Sequence, residues 1–316
     1  MDESVKVDVA YRIGTPILMN KFFFKSCYYH DLIAALGCLR INGLKLLQNQ
    51  KLCVKENFEC QDGWYLNEET FEEKMGYHIE PLNLSREVLL QYISRNKPVI
   101  VGVDCYYIKE RREEYLKQHC KHFIMVYGYD LNRDILNIVD HNYFNSLMFE
   151  EKEMEIDSLL EYNQKYYERY CNQETPYSSK AVVQDVPFVE FDIAKLCTAE
   201  ENSNLNNAVK NLQLITAFLE GGEKLSADNF NKIDKYLLSI QRYKQTRLYA
   251  EAQLAPQKEI LLNKLVGGYA LLLGLLRKIY LKKDFLPLGQ ARERYLAKID
   301  EVVMLEKEFN ELYGGN

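Results

Sequence analysis

Three residues stand in this chain where covalent acyl chemistry would need them. Cys27 opens an apolar helical run, His122 immediately precedes the strand-like run Phe123 to Tyr127, and Asp140 closes the next strand-like run. A thiol becomes a useful nucleophile when its thiolate is stabilised. A helix N-terminus does this through its unpaired N–H groups and dipole, helped by a nearby imidazolium. The imidazole must come from elsewhere in the chain, and a carboxylate behind it must hold the ring in the working orientation. Asp140 lies 18 residues after His122 (140 minus 122). A hairpin between them returns the end of the second strand to the beginning of the first.

Each residue also has a simpler role. A cysteine before an apolar helix is often a small buried side chain, His122 fits a strand-end histidine, and Asp140 fits a turn in Asp140-His141-Asn142. The joint pattern is rarer than any one of them. Cys38, inside the helix, reads as core. His30 and Asp31 lie close to one turn from Cys27 and are either substrate-facing or first-turn residues, a place the helix dipole favours for Asp31. His119 competes with His122 as the base but comes too early for the strand, and Asp130 reads as a turn former.

The elements that must position these groups follow from hydrophobic spacing. Leu32, Ile33, Leu36 and Leu39 recur at helical intervals and Asn42-Gly43 supplies a stop. Residues 53–80 have mixed polarity, with turn signals at Asp62-Gly63 and Gly76, and predict short surface elements. From Asn83 an amphipathic helix runs to Asn96-Lys97-Pro98 and feeds a buried strand, Val99 to Val103. The runs Phe123 to Gly128 and Ile135 to Val139, separated by Asp130-Leu131-Asn132-Arg133-Asp134, predict an antiparallel hairpin. Glu150 to Glu155 is a charged edge or face, Ile156 to Tyr170 is helical, and Ala181 to Phe191 is a further strand pair or an extended segment. Beyond about Ala199 four helical runs follow, Leu205 to Leu219, Asp228 to Leu254, Gln257 to Lys282 and Pro287 to Tyr313, predicting a bundle.

Whole-chain properties narrow the function classes. With 316 residues, two cores are expected, divided as 1–198 and 199–316, in an α+β protein with an all-helical C-terminal part. A formal charge of -6 argues against nucleic acid as a partner. The start Met1-Asp2-Glu3-Ser4 lacks the features of a signal peptide. The apolar run Leu265 to Leu276 is interrupted by glycines and reads as a core helix too short to cross a bilayer. A cytoplasmic protein with reduced thiols and no membrane partner is expected, Cys53 and Cys60 being unpaired. Only His119-Cys120-Lys121-His122 clusters soft ligands, so no metal site is expected.

The stretches Phe24-Lys25-Ser26-Cys27, Lys97 to Asp104, His122 to Asp130 and Ile138-Val139-Asp140 resemble the N-terminal domain of butirosin biosynthesis protein H, over about the first 195 residues. That resemblance implies a papain-like, cysteine-peptidase-type fold related to bacteriocin-processing double-glycine peptidases. It implies a cysteine-dependent acyltransferase of natural-product (non-ribosomal peptide or aminoglycoside-like) biosynthesis. The donor would be an acyl or aminoacyl thioester on the phosphopantetheine of an acyl or peptidyl carrier protein, and the acceptor a small-molecule amine, with no bound cofactor. Cys27 would be nucleophile, His122 base and then acid, and Asp140 the orienting group. Papain-like enzymes carry a Gln shortly before the cysteine as oxyanion donor. None precedes Cys27 here, and Asn20 is the nearest amide that would serve with the Cys27 backbone N–H. A cysteine peptidase or amide hydrolase, and a non-catalytic carrier-binding scaffold, stand as the alternatives.

Overall fold

The computed structural model describes residues 8–18, 27–141, 149–172, 176–185, 198–220, 226–251, 256–281 and 288–314. The chain is α+β and divides into two compact units. One comprises Met1–Leu44 and Glu68–Phe191, the other Lys45–Asn67 and Asp192–Asn316.

The first unit is built on an antiparallel sheet. Its strands are β1 (Ala10–Arg12), β4 (Tyr77–Leu82), β5 (Val99–Asp104), β6 (Lys121–Asp130), β7 (Ile135–His141), β8 (Phe149–Glu155) and β9 (Ser179–Gln184). They lie in the order β4-β9-β5-β6-β7-β8, with β1 added along the far part of β6. The central strand β5 is buried at every position, as expected of a continuous apolar run covered on both faces. The charged run 150–155 forms most of the edge strand β8, where half-buried and exposed side chains alternate. Charges on an edge discourage a further strand from adding to it. The hairpin joining β6 and β7 is as expected: Asp130 accepts from the Asn132 N–H at 3.0 Å, and Asp134 takes the left-handed conformation that Asp tolerates better than most residues.

Helices close the sheet. The first, α1 (Cys27–Cys38), packs on β6 through a nearly all-buried run that includes Leu32, Ile33, Ala35 and Leu36. Helix α4 (Arg86–Ser94) starts where Ser85 accepts from the Val88 N–H, the usual N-cap bond. Helix α5 (Ile156–Tyr170) packs against β5. The predicted extension of β9 beyond Asp185 lies outside the described residues.

The second unit departs from the contiguous division at 198/199. Four helices are present as expected, α6 (Thr198–Glu220), α7 (Ala227–Glu251), α8 (Pro256–Leu281) and α9 (Leu288–Gly314). The segment Lys45–Asn67 belongs with them rather than with the sheet. It holds the short helix α2 (Lys45–Gln48) and the hairpin of β2 (Gln50–Val54) and β3 (Cys60–Trp64). Leu52 and Val54 enter the same core as Leu212, Ile233, Leu265 and Val302, and the Asn207 and Asn211 amides donate to the Val54 and Lys55 carbonyls at 2.9 and 2.8 Å. Alternation on one short strand puts its two apolar groups on a single face, and that face needs cover. Cys53 pairs in register with Gln61, and both Cys53 and Cys60 are free thiols.

The core helix reading of the glycine-rich run is amended in length. Within α8, Glu259–Tyr280 is long and apolar enough to cross a membrane. In this unit, however, Leu262, Leu265, Tyr269, Leu272 and Leu276 are fully buried in the bundle core, which accounts for the apolar composition. A buried network crosses that core: Lys244 Nζ lies 2.8 Å from Glu306 Oε2, and Tyr269 Oη donates to Glu306 Oε1 at 2.9 Å.

Candidate active site

Cys27 is the first residue of α1, so its Sγ is near unpaired helix N–H groups, as expected. Its surroundings are not those of a resting thiolate. Burial pushes the thiol up to about 12, with Asp31 adding to the effect, while the backbone N–H groups of Phe123 and Tyr28 and the more distant Arg111 pull it down without prevailing. Cys27 is therefore a neutral thiol at rest.

His122 and Asp140 meet as the hairpin predicts. Met125 pairs with Val139, so one step further along the register Asp140 falls opposite Ile124, and His122 is its diagonal neighbour on the same face. His122 Nε2 stands 2.7 Å from Asp140 Oδ1, and both side chains are almost completely buried. With Nε2 engaged, Nδ1 is the atom left to take a proton from a thiol. Burial holds His122 below its ordinary pKa, Asp140 works the other way, and Arg111 adds to the lowering. Burial also works against the Asp140 carboxylate. His122, Arg111 and Lys152 nonetheless hold it well below the usual carboxylate range.

Arg111 escapes the sequence reading. It belongs to the charged run Lys109-Glu110-Arg111-Arg112-Glu113-Glu114, which reads as solvated, yet Arg111 and Glu114 are 3% and 4% exposed. Successive turns through Ile108, Glu114 and Tyr115 fix its backbone. Its Nη2 donates to Asp140 Oδ1 at 2.8 Å and to the His141 carbonyl at 3.2 Å, and lies 2.6 Å from His122 Nε2. These three polar atoms cannot all be satisfied together. If Nε2 is bare, Arg111 donates to it, and the imidazole faces Asp140 acceptor to acceptor. If Nε2 carries a proton, it donates to Asp140, and Arg111 faces it donor to donor. The tautomer that leaves Nδ1 free to accept a proton is the second of these, so in it Nε2–H donates to Asp140 and Arg111 is held by Asp140 and the His141 carbonyl. Lys152 is the second cation missed, its Nζ 3.5 Å from Asp140 Oδ2.

The remaining sequence candidates separate. Asn20 lies outside the described residues. Asp31 is not substrate-facing as one reading had it: it is 0% exposed, and neither carboxylate oxygen has a hydrogen-bond partner among the described residues. The side chain four residues after Cys27 on a helix lies one turn deeper on the same face. Burial and Asp140 raise its pKa well above the ordinary value, against a smaller opposing effect of Arg111, so it is a neutral acid. His30 is also buried, its ring stacked on Phe149 at 4.6 Å, and burial with His141 lowers it to about 3. His119 forms a different pair, with Nδ1 2.6 Å from Asp104 Oδ2.

Metal ligation is also possible in chemical terms. His122, Asp140 and His141 present ligand atoms all within 4.8 Å of one another, a set the sequence reading did not find. Arg111 contacts both Nε2 and Oδ1 of that set, so the position a metal ion would share is faced by a fixed cation.

No family model matches this chain, and no curated protein matches it in sequence.

Proposed function

We propose that this chain is a cysteine-dependent acyltransferase with a papain-like first unit, acting in the cytoplasm within natural-product biosynthesis. Cys27 would take an acyl group from a thioester on a carrier protein's phosphopantetheine and pass it to a small-molecule amine. The observation that carries the reading is the buried His122–Asp140 pair, at 2.7 Å, on the sheet against which the helix headed by Cys27 packs.

The chemistry follows from the protonation states. Thiol and imidazole are both neutral at rest, so His122 acts as a general base during attack rather than as half of a preformed ion pair. As Sγ bonds to the acyl carbon, the thiol proton passes to His122 Nδ1, and Asp140 stabilises the imidazolium. The imidazolium then protonates the departing phosphopantetheine thiolate, leaving the acyl group on Sγ. The acceptor amine attacks that thioester, gives its proton to His122, and the Cys27 thiol is restored by return of the proton. Hydrolysis by the same three groups, with water as acceptor, is the second reading. The partial burial of Cys27 at the head of α1 favours transfer.

Limiting iodoacetamide labelling at neutral pH, mapped by mass spectrometry, tests the assignment. Labelling of Cys27 that falls in His122→Ala supports the catalytic pair. An inert Cys27, or labelling indifferent to His122, overturns it and leaves a non-catalytic scaffold. Where the pair holds, acyl-thioester donors with and without an amine distinguish transfer from hydrolysis by the product formed.

A further inference from the structure

We propose that the acyl group held on Cys27 is aromatic, its ring lodged among the side chains of Tyr28, Phe123 and Tyr166. This rests on Cys27 being the acyl-bearing nucleophile and narrows which acyl group it carries. Three aromatic residues in mutual ring contact come from three elements around Cys27. Tyr28 follows it on α1, the Phe123 backbone N–H on β6 is near enough to lower its thiol pKa, and Tyr166 on α5 is near enough that Cys27 helps raise its phenol pKa. The Tyr28 and Phe123 centroids are 5.5 Å apart with planes at 69°, and those of Phe123 and Tyr166 are 5.9 Å apart at 59°. Rings so tilted offer both edges and faces to a further ring, and aromatic groups pair best in edge-to-face and offset contacts.

The backbone has made room for this arrangement. Gly102 stands opposite Phe123 in the β5–β6 ladder, and a Cβ there would lie 2.8 Å from the Tyr166 ring and 2.7 Å from the Ser178 carbonyl oxygen. Any side chain at 102 would push Tyr166 off the sheet. Tyr28 and Phe123 remain half-buried.

Two features require an uncharged acyl group lying against these rings, and the tilted rings then favour an aromatic one. A thioester places the first carbons of its acyl chain within a few bonds of Sγ, so whatever is loaded must lie against these rings. The burial that pushes the Cys27 thiol up to about 12 would also penalise a charged chain. The cations nearby are engaged further out, Lys180 over Tyr28 at 4.8 Å and Lys121 over Tyr170 at 5.0 Å.

Phenylacetyl and cyclohexylacetyl thioesters of N-acetylcysteamine are nearly equal in size and electrophilicity and differ in the ring. Loading of the full chain with each is followed by intact mass spectrometry, with iodoacetamide labelling of Cys27 run alongside. Phenylacetyl is expected to load about tenfold faster, roughly what one well-placed ring pair supplies. The ratio should fall towards unity in Phe123→Leu and again in Tyr28→Leu. Because the readout is a ratio within each protein, a general loss of reactivity in a variant cancels. Equal loading, faster cyclohexylacetyl loading, or no loading of either by a Cys27 that iodoacetamide does label overturns this inference alone. A Cys27 inert to iodoacetamide overturns it together with the acyltransferase reading.

Discussion

Replacing Arg111 with methionine removes a cation whose Nη2 stands 2.6 Å from His122 Nε2 while keeping much of the apolar stem. Two unit charges about 4 Å apart interact by about 4 kcal/mol at an effective dielectric constant of about 20. Each pKa unit corresponds to about 1.4 kcal/mol, so charge centres about 4 Å apart correspond to about three units of rise in His122 pKa. Water entering the vacated space reduces this, and a rise of about one to two units is expected. His122 is held low by burial first and by Arg111 in addition, with Asp140 opposing, so losing Arg111 moves it upward. The assay is the rate of Cys27 alkylation as a function of pH. Only the neutral imidazole accepts the thiol proton, so the rate falls as pH drops through the His122 pKa. In Arg111→Met that acid limb should move to higher pH by the stated amount, whereas Arg111→Lys, which keeps the charge, should move it much less. Breaking a buried pair costs about 3–5 kcal/mol of stability, so a thermal melt must show both variants folded at the assay temperature. An acid limb that stays in place, or moves to lower pH, in folded Arg111→Met would refute the role given to the guanidinium.

Three other outcomes follow from the same structure. Asp31 is a fully buried acid whose folded pKa lies above its unfolded value, so its stabilising contribution is present below the unfolded pKa and lost as pH rises through the folded one. Asp31→Asn should therefore gain in melting temperature relative to the native chain as pH rises above about 4, and a difference that is flat with pH would be the wrong result. In the helical unit, Glu306→Gln strands Lys244 and should cost about 3–5 kcal/mol in urea unfolding. The double change Lys244→Met with Glu306→Gln should recover part of that loss, and strict additivity would show that the two charges are not coupled. Zinc should bind His122, Asp140 and His141 more tightly when Arg111 is gone. Equilibrium dialysis is expected to show at least about tenfold tighter binding by Arg111→Met than by the native chain, following from loss of the cation facing the ligands. Equal binding, or none by either protein, would remove the metal reading.

Local pattern and long-range packing contributed differently to the fold and the site. The spacing of Leu32, Ile33 and Leu36, the run Val99 to Val103 and the two strands around Asp130 to Asp134 each express one residue's preference for one face, a property carried within a few neighbours. That is why α1, β5, the β6–β7 hairpin and the four C-terminal helices were legible. The meeting of His122 and Asp140 was legible for the same reason, since a short hairpin fixes register and register fixes which side chains share a face.

What the chain could not reveal locally were partners chosen by burial. Lys45–Asn67 gives its apolar face to a core assembled from helices more than a hundred residues later, and nothing in that segment names its partner. Arg111 sits in a run of charges indistinguishable from a solvated loop, and only the closed structure turns it inward onto Asp140. Asp31 reads as a favourable first-turn residue until burial leaves its carboxylate no hydrogen-bond partner among the described residues. The residue types and their order determined which groups could do chemistry. Desolvation, which depends on all the elements packed around a group at once, decided that Cys27 is a thiol, His122 a neutral base and Asp31 a neutral acid.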